Sequence, residues 1–228
     1  MTISQLLKYT ISLPKSIYFN FRVLPFMQAL KFPFLVAYNV KLLTLKRNII
    51  EFSDGTKLKP VSVAIGFNGT EEIAPQRALL NLKCGKIIFN GSAYFGEGCI
   101  IGVSNGGRLV FGKNFSANKN FFVSCNKEIV FGPDCMLGWN VHLFDATGHI
   151  IYHNSVVKES FKRIHIGNHV WICAESHILK GAFIPDNSVI AYGSIVTKEF
   201  KNTNSLYGGV PAKELQNNIQ WGNFKDLA

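Results

Sequence analysis

His149 closes the run Leu143-Phe144-Asp145-Ala146-Thr147-Gly148-His149, in which a glycine precedes it and a stretch without the coil pattern follows. An imidazole titrates close to neutral pH, so a histidine at the root of a loop can serve as general base towards a hydroxyl. Asp145, four residues earlier, either orients that ring or is a solvated turn residue. The competing reading of His149 is structural: six residues after Leu143, a regular register would bury it at a strand corner. Two further spacings, His149-x-x-x-His153 and His165-x-x-x-His169, raise the possibility of zinc, which needs three convergent ligands and an open position.

Whatever His149 does, a scaffold must hold it, and a period of six describes that scaffold. Ile166, Ile172, Ile178, Ile184, Ile190 and Val196 recur at every sixth position, and Val170, Ser176, Ala182, Ser188 and Ser194 follow the first five by four. This spacing fits neither a helix nor an alternating strand. It fits a triangular coil of three short strands per turn, with an aliphatic side chain on each inner face and a small residue at each corner. The fold expected is an all-β solenoid, a left-handed parallel β-helix.

Reading backwards, Phe89, Phe95 and Ile101 make one coil, Phe111, Ala117 and Val123 the next, and Phe131, Leu137 and Leu143 a third. The interval from Phe131 to Ile166 is too long for one coil, so a loop is expected over 146–163, and long loops on rigid scaffolds tend to carry function. Residues 1–47 lack the period. Pro14, Pro25 and Pro33 are expected to divide them into short helical or extended pieces, such as Pro25–Lys31 and Phe34–Lys46. Strands are expected from about Asn48, with Asp54-Gly55 as a turn. The solenoid would fill 48–211, and 212–228 would form a terminal helix capping its open end.

The chain of 228 residues carries a net charge of +10. Residues 1–60 hold nine basic side chains against Glu51 and Asp54, interleaved with aromatic residues such as Tyr9, Phe19 and Phe26. This is either a helical cap with a solvated basic face or a surface for peripheral contact with an anionic membrane. No recognition motif accompanies the charge, so nucleic acid is not an expected partner. No signal-peptide pattern is visible and no apolar run is long enough to span a bilayer. The five cysteines contain no CxxC pair and read as small buried hydrophobes in a reducing cytosol.

Several segments then resemble one family. Asn140-Val141-His142-Leu143 with Thr147-Gly148-His149 is similar to the active-site stretch of galactoside, maltose and nodulation-type acetyltransferases of the hexapeptide-repeat superfamily. Ile166-Gly167-Asn168-His169-Val170-Trp171-Ile172, Asp186–Ile190, Gly193–Lys198 and Gly209-Val210-Pro211-Ala212-Lys213 resemble that family's later coils and terminus. Asn20-Phe21-Arg22 and Leu24-Pro25-Phe26 are similar to acyltransferases of capsule and O-antigen biosynthesis.

The resemblance implies acetyl transfer from acetyl-CoA to a sugar hydroxyl, with no metal and no covalent enzyme intermediate. His149 would be the base, and Asn140 and Asp145 would help place the acceptor. Trp171, Ala174, Tyr192, Thr197, Lys198 and Lys213 would meet CoA, with the two lysines near its phosphates and Tyr192 replacing the family's usual small residue. It further implies a homotrimer with sites between subunits and a glycan acceptor, and the basic, aromatic N-terminus favours a lipid-linked glycan at the cytoplasmic face of the membrane. Three alternatives stay open: acetylation of a small molecule such as a free sugar, amino sugar or antibiotic, a zinc protein of the γ-carbonic-anhydrase type, and a non-enzymatic solenoid.

Overall fold

The computed structural model describes residues 3–222. Three parallel sheets form the faces of a triangular prism, and the chain visits faces A, B and C in turn. Face A stacks Phe34–Val36, Val63–Ile65, Ala93–Phe95, Phe115–Ala117, Met136–Leu137, Trp171–Ile172, Val189–Ile190 and Leu206–Gly209. Face B stacks Lys41–Thr44, Leu79–Leu82, Ile100–Val103, Phe122–Cys125, His142–Phe144, His177–Leu179 and Ile195–Val196. Face C stacks Ile50–Phe52, Gly85–Phe89, Gly107–Phe111, Glu128–Phe131, Ile164–Ile166 and Phe183–Ile184.

The six-residue register describes the interior. Ile166, Ile172, Ile178, Ile184 and Ile190 are fully buried, as are Val170, Ser176, Ser188 and Ser194 at the corners. Equivalent positions pair directly: Phe89 with Phe111, Phe131 with Ile166, Leu137 with Ile172, and Ile172 with Ile190. The earlier coils are wider, and phenylalanine rings fill them. Phe89 stacks on Phe111 at 5.3 Å and Phe111 on Phe131 at 5.5 Å, measured between ring centroids. Corners turn through the left-handed backbone region, which asparagine and aspartate tolerate better than most residues. Asn114, Asp134, Asn187 and Asn204 do so with φ between 52° and 59°.

The N-terminal region departs from the expected pieces. A single helix, α1, runs from Ile3 to Val23 with Pro14 inside it. Pro14 sits on the solvent side, where carbonyls turned towards water tolerate the missing N–H. A short helix, α2, follows at Phe26–Ala29. Of the two conformations open to Phe34–Lys46 the extended one is found: Phe34–Val36 is a fully buried strand paired with Val63–Ile65, and Lys41–Thr44 is a second strand. Tertiary pairing of a β-prone triplet overrides local propensity here, so the strands begin at Phe34 rather than near Asn48.

The other end also differs. Ala212–Gln216 is not helical but a strand antiparallel to Leu206–Gly209, with Gly209 opposite Ala212 and Tyr207 opposite Glu214. The chain reverses after Gly209 (φ 100°) and returns along its own sheet edge. Residues 217–222 are irregular and 223–228 lie outside the described residues.

The loop leaves the prism at the corner between faces B and C. Its base is zipped by an Ala146–Phe161 bridge, by the Thr147 N–H on the Ser160 carbonyl at 3.0 Å, and by the Lys162 N–H on the Asp145 carbonyl at 3.0 Å. Its tip is a hairpin of Tyr152–His153 with Val156–Val157.

Candidate active site

His149 lies on the outgoing limb of this loop, exposed to solvent, just beyond the zipped base. The turn that presents it passes through Gly148 at φ 73°, with open space where a side chain would stand. The Thr147 hydroxyl donates to the His149 carbonyl at 2.9 Å, tying the two residues together. The chain therefore leaves the coil before the sixth residue, and the imidazole is not a corner filler.

Asp145 is fully buried and faces away from that chemistry. Its carboxylate accepts the backbone N–H groups of Asn126 at 2.8 Å, Lys127 at 2.7 Å and Glu128 at 3.0 Å. Neither a solvated turn residue nor a partner of the His149 ring, it ties the departing limb to the preceding coil. Its charge is the second cause, after burial, of the raised Cys125 thiol pKa.

Asn140 is the left-handed corner residue between faces A and B, with φ 54°. Asn120 and Glu175 occupy the same place in the coils on either side, as the ladder of Asn140 N–H to the Lys119 carbonyl and Glu175 N–H to the Trp139 carbonyl shows. The Asn140 amide donates to the Glu175 carboxylate at 2.7 Å, and its Oδ1 has no hydrogen-bond partner among the described residues.

On face A a cleft of about 520 Å³ is lined by Trp171, Cys173, Ala174, Tyr192, Trp139 and Asn118, among others. Three of the residues expected to meet CoA, Trp171, Ala174 and Tyr192, are thus brought together. Trp171 points outward because it alternates with the interior Ile172. Gly138 closes the floor: a Cβ there would stand 2.5 Å from the Ala174 nitrogen, so only glycine lets these two coils approach. Cys173 is half-buried, and burial pushes its thiol up to about 11.

Thr197 and Lys198 lie elsewhere, exposed beyond Ile195–Val196 on face B, and do not line the cleft. Lys213 is exposed on the terminal strand of face A, opposite Gly208. Neither lysine forms an ion pair among the described residues. Trp139 and Asn118 went unread in the sequence. The signal for Trp139 was available, since it follows interior Leu137 by two just as Ala174 follows Ile172 and Tyr192 follows Ile190.

The histidine pairs do not converge. The His165 ring stacks on Phe183 at 5.2 Å and the His169 ring on Trp221 at 4.0 Å. Among the described residues no three His, Cys, Asp or Glu side chains are grouped to hold a metal ion. A second concavity adjoins the loop root, lined by Asn105, Ser124, Asn126, Phe144, Thr147 and Phe161 with others. The loop corner and the cleft are separated by the whole of face B, whose strand His142–Phe144 alone spans roughly 10 Å. Within one chain His149 and the cleft do not meet.

No protein-family model matches the chain. It is 30% identical over 148 residues to a galactoside O-acetyltransferase of Lactococcus lactis, covering 62% of this chain and 69% of that protein. It is 37% identical over 116 residues to a galactoside O-acetyltransferase of Escherichia coli, and 37% over 108 residues to a putative acetyltransferase of Schizosaccharomyces pombe. Those matches cover 50% and 46% of this chain, and it spans 56% and 51% of the two relatives. Among solved structures, the polySia-specific acetyltransferase NeuO shares the fold, with a TM-score of 0.51 and 24% identity over 84% of this chain and 89% of that one. With this left-handed parallel β-helix and the relationship to the Lactococcus enzyme, the chain belongs to the hexapeptide-repeat acyltransferase superfamily, beside the galactoside O-acetyltransferases.

Proposed function

We propose that this chain is an acetyl-CoA-dependent O-acetyltransferase that modifies a sugar hydroxyl during assembly of a surface polysaccharide. One observation carries the reading: the cleft on face A gathers Trp171, Ala174 and Tyr192 into a single apolar wall. Its size and lining suit a flexible amide-bearing arm such as that of CoA. Lys213, farther along the same sheet, is in reach of the donor's phosphates, where a cation offsets charge.

The reaction needs one base. His149 takes the proton of the acceptor hydroxyl as that oxygen attacks the thioester carbonyl; the tetrahedral intermediate then expels CoA thiolate, which is protonated. No metal takes part. A backbone N–H or side-chain donor stabilises the oxyanion, and Asn140, at the corner between faces A and B, would help place the sugar.

Face B lies between His149 and the cleft of the same chain, which supports a site shared between copies, and the family resemblance makes the working unit a homotrimer. In it the loop of one copy reaches the cleft of the next. Ile150, Tyr152, Val156 and Val157 on that loop are 57% exposed or more, which suits burial against a neighbour. Among the described residues no helix is long and apolar enough to cross a membrane. We place the enzyme in the cytoplasm, in peripheral contact with the membrane that presents a lipid-linked glycan.

The test is purified protein incubated with acetyl-CoA and oligosaccharides cut from surface polysaccharide. We expect CoA release coupled to a mass gain of one acetyl group on the glycan. His149→Ala should lower turnover by about 10²–10⁴-fold while CoA binding and oligomeric state persist. Retained turnover in that variant would remove His149 as the base, and CoA release without glycan modification would remove the acceptor class.

A further inference from the structure

Helix α1 buries a polar stripe beside Phe19 and Val23, which lie in the core, and leaves a second apolar stripe outside. A helix laid on a core normally turns its apolar side inward. Here Ser12, Ser16 and Asn20 are fully buried, whereas Ile3, Leu6, Leu7, Ile11, Ile17 and Tyr18 are between 44% and 88% exposed.

The inward side has a clear purpose. The strand Phe34–Val36 is the edge of face A, and its outer N–H and carbonyl groups need partners. Asn20 donates to the Phe34 carbonyl at 2.8 Å and accepts the Phe34 N–H at 3.1 Å. The Ser16 hydroxyl accepts the Val36 N–H at 2.9 Å, and the Ser12 hydroxyl accepts the Tyr38 N–H at 3.0 Å. Four residues of helix rise about 6 Å, close to the span of two strand residues, so the ladder stays in step. The fold therefore asks for the polar stripe together with Phe19 and Val23, and leaves the outer apolar residues without a use inside the chain.

The surroundings say what that apolar side meets. It continues into α2, where Phe26, Met27 and Leu30 are 54–71% exposed. No aspartate or glutamate occurs before Glu51, which pairs with Lys86. Lys8 and Lys15 are engaged inside the cap, Lys8 with Glu97 and Lys15 with the carbonyls of Tyr38 and Val40. Arg22 and Lys31 remain exposed at the margin of the apolar side.

Beside it opens a cavity of about 570 Å³, lined by Lys57, Lys59, Lys113, Ser62, Asn90 and Ser92 among others. None of these lysines forms an ion pair among the described residues. The cavity wall adjoins α2, since the Val61 N–H donates to the Phe32 carbonyl at 2.9 Å.

We infer that this end of the prism docks on an anionic lipid bilayer, with the outer sides of α1 and α2 entering the interface and the lysine cavity receiving headgroup phosphate. The inference deepens the membrane contact in the proposed function and does not depend on acetyl transfer. Charge decides against a second copy as the occupant, because pairing two such faces would set Arg22 and Lys31 against their own kind. An anionic lipid surface matches both the apolar side and its cationic rim.

The test is sedimentation of the full chain with vesicles of phosphatidylcholine alone or with one-third phosphatidylglycerol. The expected result is pelleting with the anionic vesicles only, weakened by salt. Leu7→Glu with Ile11→Glu, both exposed positions, should keep the melting temperature and lower partitioning roughly tenfold or more. Replacing Lys57, Lys59 and Lys113 by glutamine should lower anionic preference by roughly fivefold per lysine.

Wild-type protein that stays in the supernatant, or variants that pellet as well as wild type, would overturn the inference. So would a smaller size-exclusion species in the Leu7→Glu, Ile11→Glu variant with vesicle binding unchanged, which would make the face a self-contact. Transfer to a soluble oligosaccharide is assayed separately. Lost sedimentation with intact transfer counts against docking alone, and intact sedimentation with no transfer counts against the enzyme reading alone.

Discussion

Replacing Asp145 by alanine separates a structural carboxylate from a substrate-binding one. The side chain is fully buried and accepts three backbone N–H groups at 2.7–3.0 Å. Leaving one buried donor unpaired costs about 1–3 kcal/mol, and bonds to a charged acceptor lie at the upper end. Three such losses bound the penalty at about 9 kcal/mol, but neighbouring losses do not add, and Lys127 is exposed enough for water to re-pair part of the corner. The value that follows is about 3–4 kcal/mol. For a domain of this size that corresponds to a fall in Tm of roughly 6–16 °C.

Asp145→Asn keeps one acceptor oxygen and should lose about half as much. Asp54→Ala, at an exposed turn, is the control and should stay within about 0.5 kcal/mol of wild type. Differential scanning fluorimetry reads the shift, and steady-state kinetics read the companion effect: kcat falls because the limb carrying His149 is rooted here, while the KM for acetyl-CoA holds. A Tm within 2 °C of wild type, taken here as roughly 1 kcal/mol or less, together with a raised KM for the acceptor would refute this account and restore Asp145 to the substrate.

Other consequences can be measured directly. Asn20→Leu leaves both the N–H and the carbonyl of Phe34 without their partner at a buried edge, and should destabilise by about 2–4 kcal/mol in urea titration. Trp171→Ala should raise the KM for acetyl-CoA by roughly tenfold through lost apolar contact, with little change in Tm because the side chain points outward. Burial pushes the thiols of Cys99 and Cys135 up to about 12 and that of Cys173 up to about 11. At pH 8 a thiol reagent should therefore titrate the exposed Cys84 quickly and these three slowly.

His142 gives a pH dependence. Burial first, and the neighbouring His177 second, hold its pKa below the ordinary 6.5. The unfolded chain then binds the proton more readily than the folded one. Stability is present above pH 6.5 and is lost as pH falls through the lowered folded value. His142→Gln should make Tm fall less between pH 7 and pH 5, and an equal fall in both proteins would count against it.

The interior was legible because one residue type recurs at one spacing: Ile166 to Val196 could be placed without knowing any contact, and the expectation extended back to Phe89. The loop was legible as a break in that count. What escaped had no periodic signature. Phe34-Leu35-Val36 is too short to show a repeat, and its strand character comes from pairing with Val63–Ile65. The inward side of α1 sets hydroxyls and an amide on a sheet edge beside buried Phe19 and Val23, while further apolar residues face outward, so a hydrophobic pattern does not separate the two sides. Asp145 sits next to a loop in sequence, but its carboxylate answers to backbone groups about one coil away. Trp171, Ala174 and Tyr192 share a cleft because the register stacks their corners, whereas Lys198 falls on another face.

The continuous column of aromatic rings ends at Phe131, and the coils beyond it are filled by leucine, isoleucine and valine with buried serines at corners, until Phe200 stacks on Tyr207 near the end. In a solenoid each coil is held chiefly by its neighbours, so this change of filling grades the strength of coil-to-coil coupling along the axis. Amide exchange should accordingly be slowest between Phe89 and Phe131 and faster towards Val196, with fraying that starts from the C-terminal end. The cleft wall of Trp171 and Tyr192 belongs to that looser half. A ligand lying along it would tie together the coils that open first, and its binding free energy would appear as slower opening there, before any change in the aromatic half.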